Sequence, residues 1–221
     1  SVLSVTGGST VDIVGTNFGT SAGSHSITYG GSDGLKYGPS ACTIVTANTD
    51  IRCTTVAGYG KDLKFIVTVA AQSSTLTATT LDYAAPTITG ISSTPFSTLG
   101  GDTVTITGTG FGVSTHTDIS ATYACTGSCQ IGVGPYTATA CVWQSATSLQ
   151  CTTVAGKGKH FKWTLGGFDS QPSNAFGSTR YANPTVTSIA VNGGGRMNTA
   201  GGSTIDIVGT NFGPACNDGC V

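Results

Sequence analysis

Eight cysteines fall into four close pairs, Cys42 with Cys53, Cys141 with Cys151, Cys125 with Cys129, and Cys216 with Cys220. Pairs at such density point to disulfides made in an oxidising compartment, because a reducing cytosol would keep them as thiols. The runs CTIVTANTDIRC and CVWQSATSLQC match, so the first two pairs are each expected to staple a hairpin or loop. A crosslink over a loop of about ten residues is worth roughly 3 kcal/mol. The Cys125/Cys129 and Cys216/Cys220 pairs are expected to close small loops. Zinc is the competing chemistry, but C-x3-C without neighbouring Cys or His is poor zinc spacing.

Other chemistry finds less support. GGSDG at 30–34 has the spacing of a hydrolase nucleophile elbow centred on Ser32, yet its flanks, ITYGGSDGLKYG, read as a hairpin turn rather than a strand-to-helix turn. No spacing ties His25, His116 or His160 to Ser32. GTGFG and AGKGKH satisfy neither phosphate-loop pattern, and the ten Asp residues form no EF-hand ligand run. No catalytic residue, cofactor or metal is assigned. Lys157, Lys159, His160 and Lys162 make a small basic patch, read as a solvated strand face with an acidic glycan as the alternative. Thr75, Thr77, Thr79, Thr80, Thr94 and Thr98 lie in TLTATT and STPFST, and are candidate O-glycan acceptors. There is no N-x-S/T sequon.

The elements that must position these residues are strands. Gly is 33 of 221 residues, Ser and Thr together exceed a quarter, charged residues are 9%, and every acid is Asp. Scarce helix formers and abundant Thr, Val and Ile with Gly punctuation predict many short strands joined by tight turns. A net charge of -1 offers no field for a phosphate backbone, so nucleic acid is not an expected partner. The longest apolar runs, such as FIVTVAA at 65–71, are too short to span a bilayer in this segment.

Three lines repeat: GGSTVDIVGTNFG at 7–19, GGDTVTITGTGFG at 100–112 and GGSTIDIVGTNFG at 201–213. CTTVAGYGK at 53–61 likewise returns as CTTVAGKGK at 151–159, and DYAAPTITGI at 82–91 as RYANPTVTSI at 180–189. A period of about a hundred residues is that of a small sandwich domain. Within each line Val11 and Ile13, Val104 and Ile106, or Ile205 and Ile207 should face the core. Gly and Asn then supply a positive-φ turn that returns Phe18, Phe111 or Phe212 to the core. Alternation also predicts strands through Leu63, Phe65, Val67 and Val69, and through Phe161, Trp163 and Leu165.

This order of Pro-x-Val/Ile, the GG line, CTTVAG and a strand ending at Tyr83 or Tyr181 resembles the IPT/TIG domain of plexins, some transcription factors and large cell-surface proteins. The resemblance implies an all-β fold of tandem immunoglobulin-like β-sandwiches and no common catalytic residues. The expected units are 1–85, lacking its N-terminal part, 86–183, complete, and 184–221, the start of a third. The third is expected to continue in a longer tandem chain or to be completed by another molecule.

Two functions fit. The first is a structural, secreted or surface protein, with Pro-bounded joints stacking units into a stiff rod that forms a fibre, appendage or stalk, by head-to-tail or lateral association with itself. The second is the ectodomain of a receptor or adhesin binding a glycan or another surface protein, with Tyr29, Tyr37, Tyr59 and Tyr136 near its loops as candidate contacts, each read first as ordinary packing. Neither requires an enzyme.

Overall fold

Val11 and Ile13 alternate with Thr10, Asp12 and Val14, and a period of two sends the first set inward. In the computed structural model, which describes residues 2–21, 23, 25–92, 94–127 and 133–214, these two are buried while Val14 is exposed. The first unit contains β1 (Val2–Leu3), β2 (Thr10–Val14), β3 (His25–Gly30), β4 (Ala41–Thr46), β5 (Asp50–Thr54), β6 (Lys64–Val69), β7 (Gln72–Ser73) and β8 (Asp82–Tyr83). They form an antiparallel β2-β5-β4 sheet, an antiparallel β3-β6-β7 sheet and a parallel β1-β8 pair.

The second unit contains β9 (Thr87–Ile91), β10 (Thr103–Thr109), β11 (Ser120–Cys125), β12 (Tyr136–Thr137), β13 (Thr139–Ser145), β14 (Ser148–Thr152), β15 (Lys159–Gly166) and β16 (Phe176–Arg180). Two four-stranded sheets result, ordered β13-β14-β10-β9 and β12-β11-β15-β16. Val104, Ile106 and Leu149 from one sheet meet Tyr123, Phe161 and Trp163 from the other in a single core. This is the immunoglobulin-like β-sandwich that the repeats imply.

The GG line ends in the expected turn. Asn17, Gly110 and Asn211 occupy matching positions at φ 64°, 76° and 60°, the left-handed region that Asn and Gly tolerate. Phe18 and Phe111 then return to their cores.

After Pro184, β17 (Thr185–Val191) and β18 (Ile205–Thr210) form an antiparallel hairpin. Ile205, Ile207 and Phe212 are 43%, 49% and 53% exposed here, as expected of two strands that cannot bury a core of their own. Strand alternation chooses a face, but burying it needs a second layer, and none covers the hairpin among the described residues.

Candidate functional site

Both larger units hold their CTTVAG loop by the same tyrosine chain. Tyr83 donates its proton to the Val56 carbonyl at 2.7 Å, so Tyr29, 2.8 Å away, must donate to Tyr83. The Val56 N–H in turn donates to the Tyr29 oxygen at 3.1 Å, closing the ring. Tyr123, Tyr181 and Val154 repeat it at 2.7, 2.7 and 3.2 Å. Burial pushes all four phenols above their ordinary pKa, Tyr83 and Tyr181 furthest.

A third tyrosine aims the next residue. The Tyr37 hydroxyl donates to the Tyr59 carbonyl at 2.9 Å and accepts from the Tyr59 N–H at 3.1 Å. With its backbone held, Tyr59 projects from the first unit and is buried in the core of the second. Its ring stacks on His116 with centroids 3.9 Å apart and meets Phe168 edge-on at 6.1 Å. Gly112 lies beneath, where a Cβ would come 2.8 Å from the Tyr59 ring, so the GTGFG turn must end in glycine for the ring to seat.

Lys36 covers the contact. Its Nζ is 3.6 Å from the Tyr59 ring centre and donates to Asp169 Oδ2 at 2.7 Å. Burial opposes this charge, but the bonds to Asp169 and Tyr59 outweigh it and raise the ammonium pKa. Gln171 Nε2 adds a bond to the Tyr83 carbonyl at 3.0 Å. The first joint is therefore a packed contact between units rather than a bare tether. At the second joint Lys157 takes the place of Tyr59, with its backbone held by Tyr136 at 3.1 Å in both directions. A cavity of about 510 Å³ remains there beside Lys157, Tyr181, Pro184 and Phe212.

Cys42 pairs with Cys53 across β4 and β5, and Cys141 with Cys151 across β13 and β14, each within its own unit as the matching runs require. Cys125 is in a disulfide. Cys129, Cys216 and Cys220 lie outside the described residues.

Ser32 sits in the loop closed by the Tyr29–Tyr37 backbone pair, while His25 bonds the Phe18 carbonyl and His116 the Gly167 carbonyl. Both rings are thus engaged with backbone. Lys159, His160 and Lys162 are exposed on β15. Of the candidate acceptors, Thr75, Thr79 and Thr94 are exposed and Thr80 is half-buried. Thr77 uses its hydroxyl between Phe65 and Thr79. Thr98 is a correction, because it is 3% exposed and closed to modification in the folded domain.

The loop tyrosines take the packing role read first for them, not ligand contact. Tyr29 and Tyr59 are buried, and Tyr37 and Tyr136 are half-buried and bonded to backbone. What sequence reasoning missed is the side-chain contact that packs the joint. Its one visible signal was that Tyr59 and Lys157 differ inside otherwise matching CTTVAG-x-GK runs.

Residues 86–179 match the IPT/TIG domain family. No curated protein matches the chain. Among solved structures, the full extracellular region of plexin A4 is similar at 16% identity and a TM-score of 0.39, over 82% of this chain and 17% of that one. SGBP-B from a complex xyloglucan utilization locus in Bacteroides uniformis is similar at 17% identity and a TM-score of 0.28, over 80% of this chain and 45% of that one. The chain thus spans less than half the length of either. Within it, the second unit, whose two facing sheets occupy the matched stretch, is an IPT/TIG domain.

Proposed function

We propose that this chain is a structural segment of an extracellular or cell-surface protein, in which disulfide-stapled immunoglobulin-like repeats stack into a stiff array. The array serves as a fibre, appendage or stalk and associates with itself, head to tail or laterally. One observation carries this reading: Tyr59 of one unit is buried in the core of the next. A joint that excludes water and holds a ring on both faces resists bending, so each added repeat extends reach rather than slack. The two disulfides support an oxidising location. Low charge leaves little repulsion between copies. Exposed Thr75 and Thr79 are the acceptors best placed for O-linked sugar, which intact mass would register as sugar increments.

Negative-stain electron microscopy of native material tests the proposal. Filaments or uniform rods support it, while short monodisperse particles at high concentration overturn self-association.

A second reading, a ligand-binding ectodomain, is favoured by a charged cleft of about 790 Å³ at the first joint, bordered by Asp33, Lys36, Lys61, Asp62, Lys64 and Asp169. A glycan array with the folded chain would test it, and no retained glycan would count against the glycan form.

A further inference from the structure

One frame of four positions occurs in both larger units with different electrostatics. In the first unit it holds Lys61, Asp62, Lys64 and Asp82, and in the second Lys159, His160, Lys162 and Arg180, within the matching runs GKDLKF and GKHFKW and just before the matching Tyr83 and Tyr181. The backbone is the same in each. The Tyr83 N–H bonds the Gly60 carbonyl at 2.9 Å as the Tyr181 N–H bonds the Gly158 carbonyl at 2.9 Å, and Asp62 and His160 both take a positive φ, 56° and 63°.

The charges differ. The first set has two cations and two anions, with Lys61 pairing with Asp62 at 3.8 Å and Asp82 accepting the Asp62 N–H at 2.7 Å. In the second set basic side chains take the places of both acids, leaving three permanent cations and a histidine. Lys159 and Arg180 lie directly opposite each other in the β15–β16 ladder, where like charges repel. No acidic residue lies on any strand of the β12-β11-β15-β16 sheet, and no ion pair among the described residues engages Lys159, Lys162 or Arg180. The fold does not require this concentration of charge, since the first unit builds the same frame without it.

The cations also share a face. Lys162 is exposed between buried Phe161 and Trp163, and Ser178 and Arg180 are exposed on either side of buried Thr179. Phe161 registers with Thr179 and Trp163 with Phe176, so the Cα atoms of Lys162 and Arg180 stand within about 10 Å. Thr122 and Thr164, opposite each other with hydroxyls 2.8 Å apart, continue the face. No large apolar side chain is exposed on this sheet among the described residues, so it offers nothing to insert into a lipid surface.

We infer that this face of the second unit binds an acidic polysaccharide, whose sulfate or carboxylate groups meet Lys159, Lys162 and Arg180 while Ser178 and Thr164 meet sugar hydroxyls. A flat sheet can present several cations to a chain of regularly spaced anions at once, and arginine adds a two-pronged donor matched to an oxyanion. The inference rests on the extracellular location proposed above, where polysaccharide rather than nucleic acid is the polyanion at hand, and it does not depend on self-association.

Fluorescence anisotropy of a labelled heparin oligosaccharide with the 221-residue chain tests it. Binding should saturate at near-physiological ionic strength, weaken with added salt and resist competition by neutral dextran. Lys162→Gln with Arg180→Gln should weaken it roughly tenfold, and so should His160→Asp with Arg180→Asp, which restores the charge pattern of the first unit. Lys162→Arg should retain it. Arg52→Gln, which removes one exposed cation from the first unit, should change it by less than about twofold.

No saturable binding, or an equal loss from Arg52→Gln, overturns the site. Equally tight binding of a single-stranded DNA oligonucleotide or of phosphatidylserine vesicles overturns the polysaccharide as its occupant. Thiol mass spectrometry of native material separates this failure from failure of the location. Reduced Cys42 and Cys53 would overturn the location on which the inference rests, whereas absent heparin binding with both disulfides intact overturns the site alone.

Discussion

The ring of Tyr59 stacks on the ring of His116 with centroids 3.9 Å apart, although the two belong to different repeats. Tyr59 is thus a side chain of the first unit and part of the core of the second. Its removal should therefore register in two measurements at once. Tyr59→Ala should cost roughly 3 kcal/mol, in the range of large aromatic deletions, read as a lower urea midpoint. It should also enlarge the radius of gyration in X-ray scattering through a looser joint. Lost stability with an unchanged radius would show that the contact does not set the angle between units.

The Lys36–Asp169 pair closes the same joint but is about one-third exposed at each side chain. Its coupling should be modest, about 0.5 kcal/mol in a double-mutant cycle with Lys36→Met and Asp169→Asn, and should shrink in high salt. A salt-independent coupling of several kcal/mol would show a desolvated pair instead.

Tyr83→Phe removes the hydroxyl that bridges Tyr29 and the Val56 carbonyl. The loss leaves buried partners unsatisfied and should cost about 1–3 kcal/mol, with Tyr181→Phe doing the same in the second unit. Thermal denaturation of the two single variants checks this, and a neutral result would show that water replaces the hydroxyl.

Alkaline pH acts on the same network. Burial raises the pKa values of Tyr29, Tyr37, Tyr83, Tyr123 and Tyr181 above that of the unfolded chain, about 10. Below that pH both states keep the phenols protonated. Above it the unfolded chain releases protons that the folded chain retains, so stability falls as pH rises. Absorbance at 295 nm should show delayed ionisation followed by a cooperative rise on unfolding, while five freely titrating phenols would contradict the burial.

Each hairpin disulfide links strands that are already neighbours, with Cα atoms 4.1 Å apart in both. Cys42→Ala with Cys53→Ala should lower stability by about 2–4 kcal/mol without changing the far-ultraviolet dichroism. Complete loss of strand signal would mean that the crosslink drives folding of the first unit.

The strands, their turns and the two hairpin disulfides were legible in the sequence because each depends on residues close together in the chain. Alternation placed Val11, Ile13, Val104 and Ile106 inward, and the repeated Cys runs paired Cys42 with Cys53 and Cys141 with Cys151. Thr98 was misjudged because exposure depends on what packs over a residue, and here that is a loop far along the chain: the Gly156 N–H bonds the Thr98 carbonyl. The loop tyrosines were read as packing, but their partners Val56 and His116 are set by the fold and not by spacing.

By itself, then, the sequence determined the period of the repeat, the face of each strand and the local crosslinks, all consequences of backbone geometry and short-range chemistry. Tertiary structure alone decided that Tyr59 crosses into the next repeat, that Lys36 reaches Asp169, and that Thr98 is covered. Burial belongs to the layer opposite, and a strand's own residues cannot supply that layer.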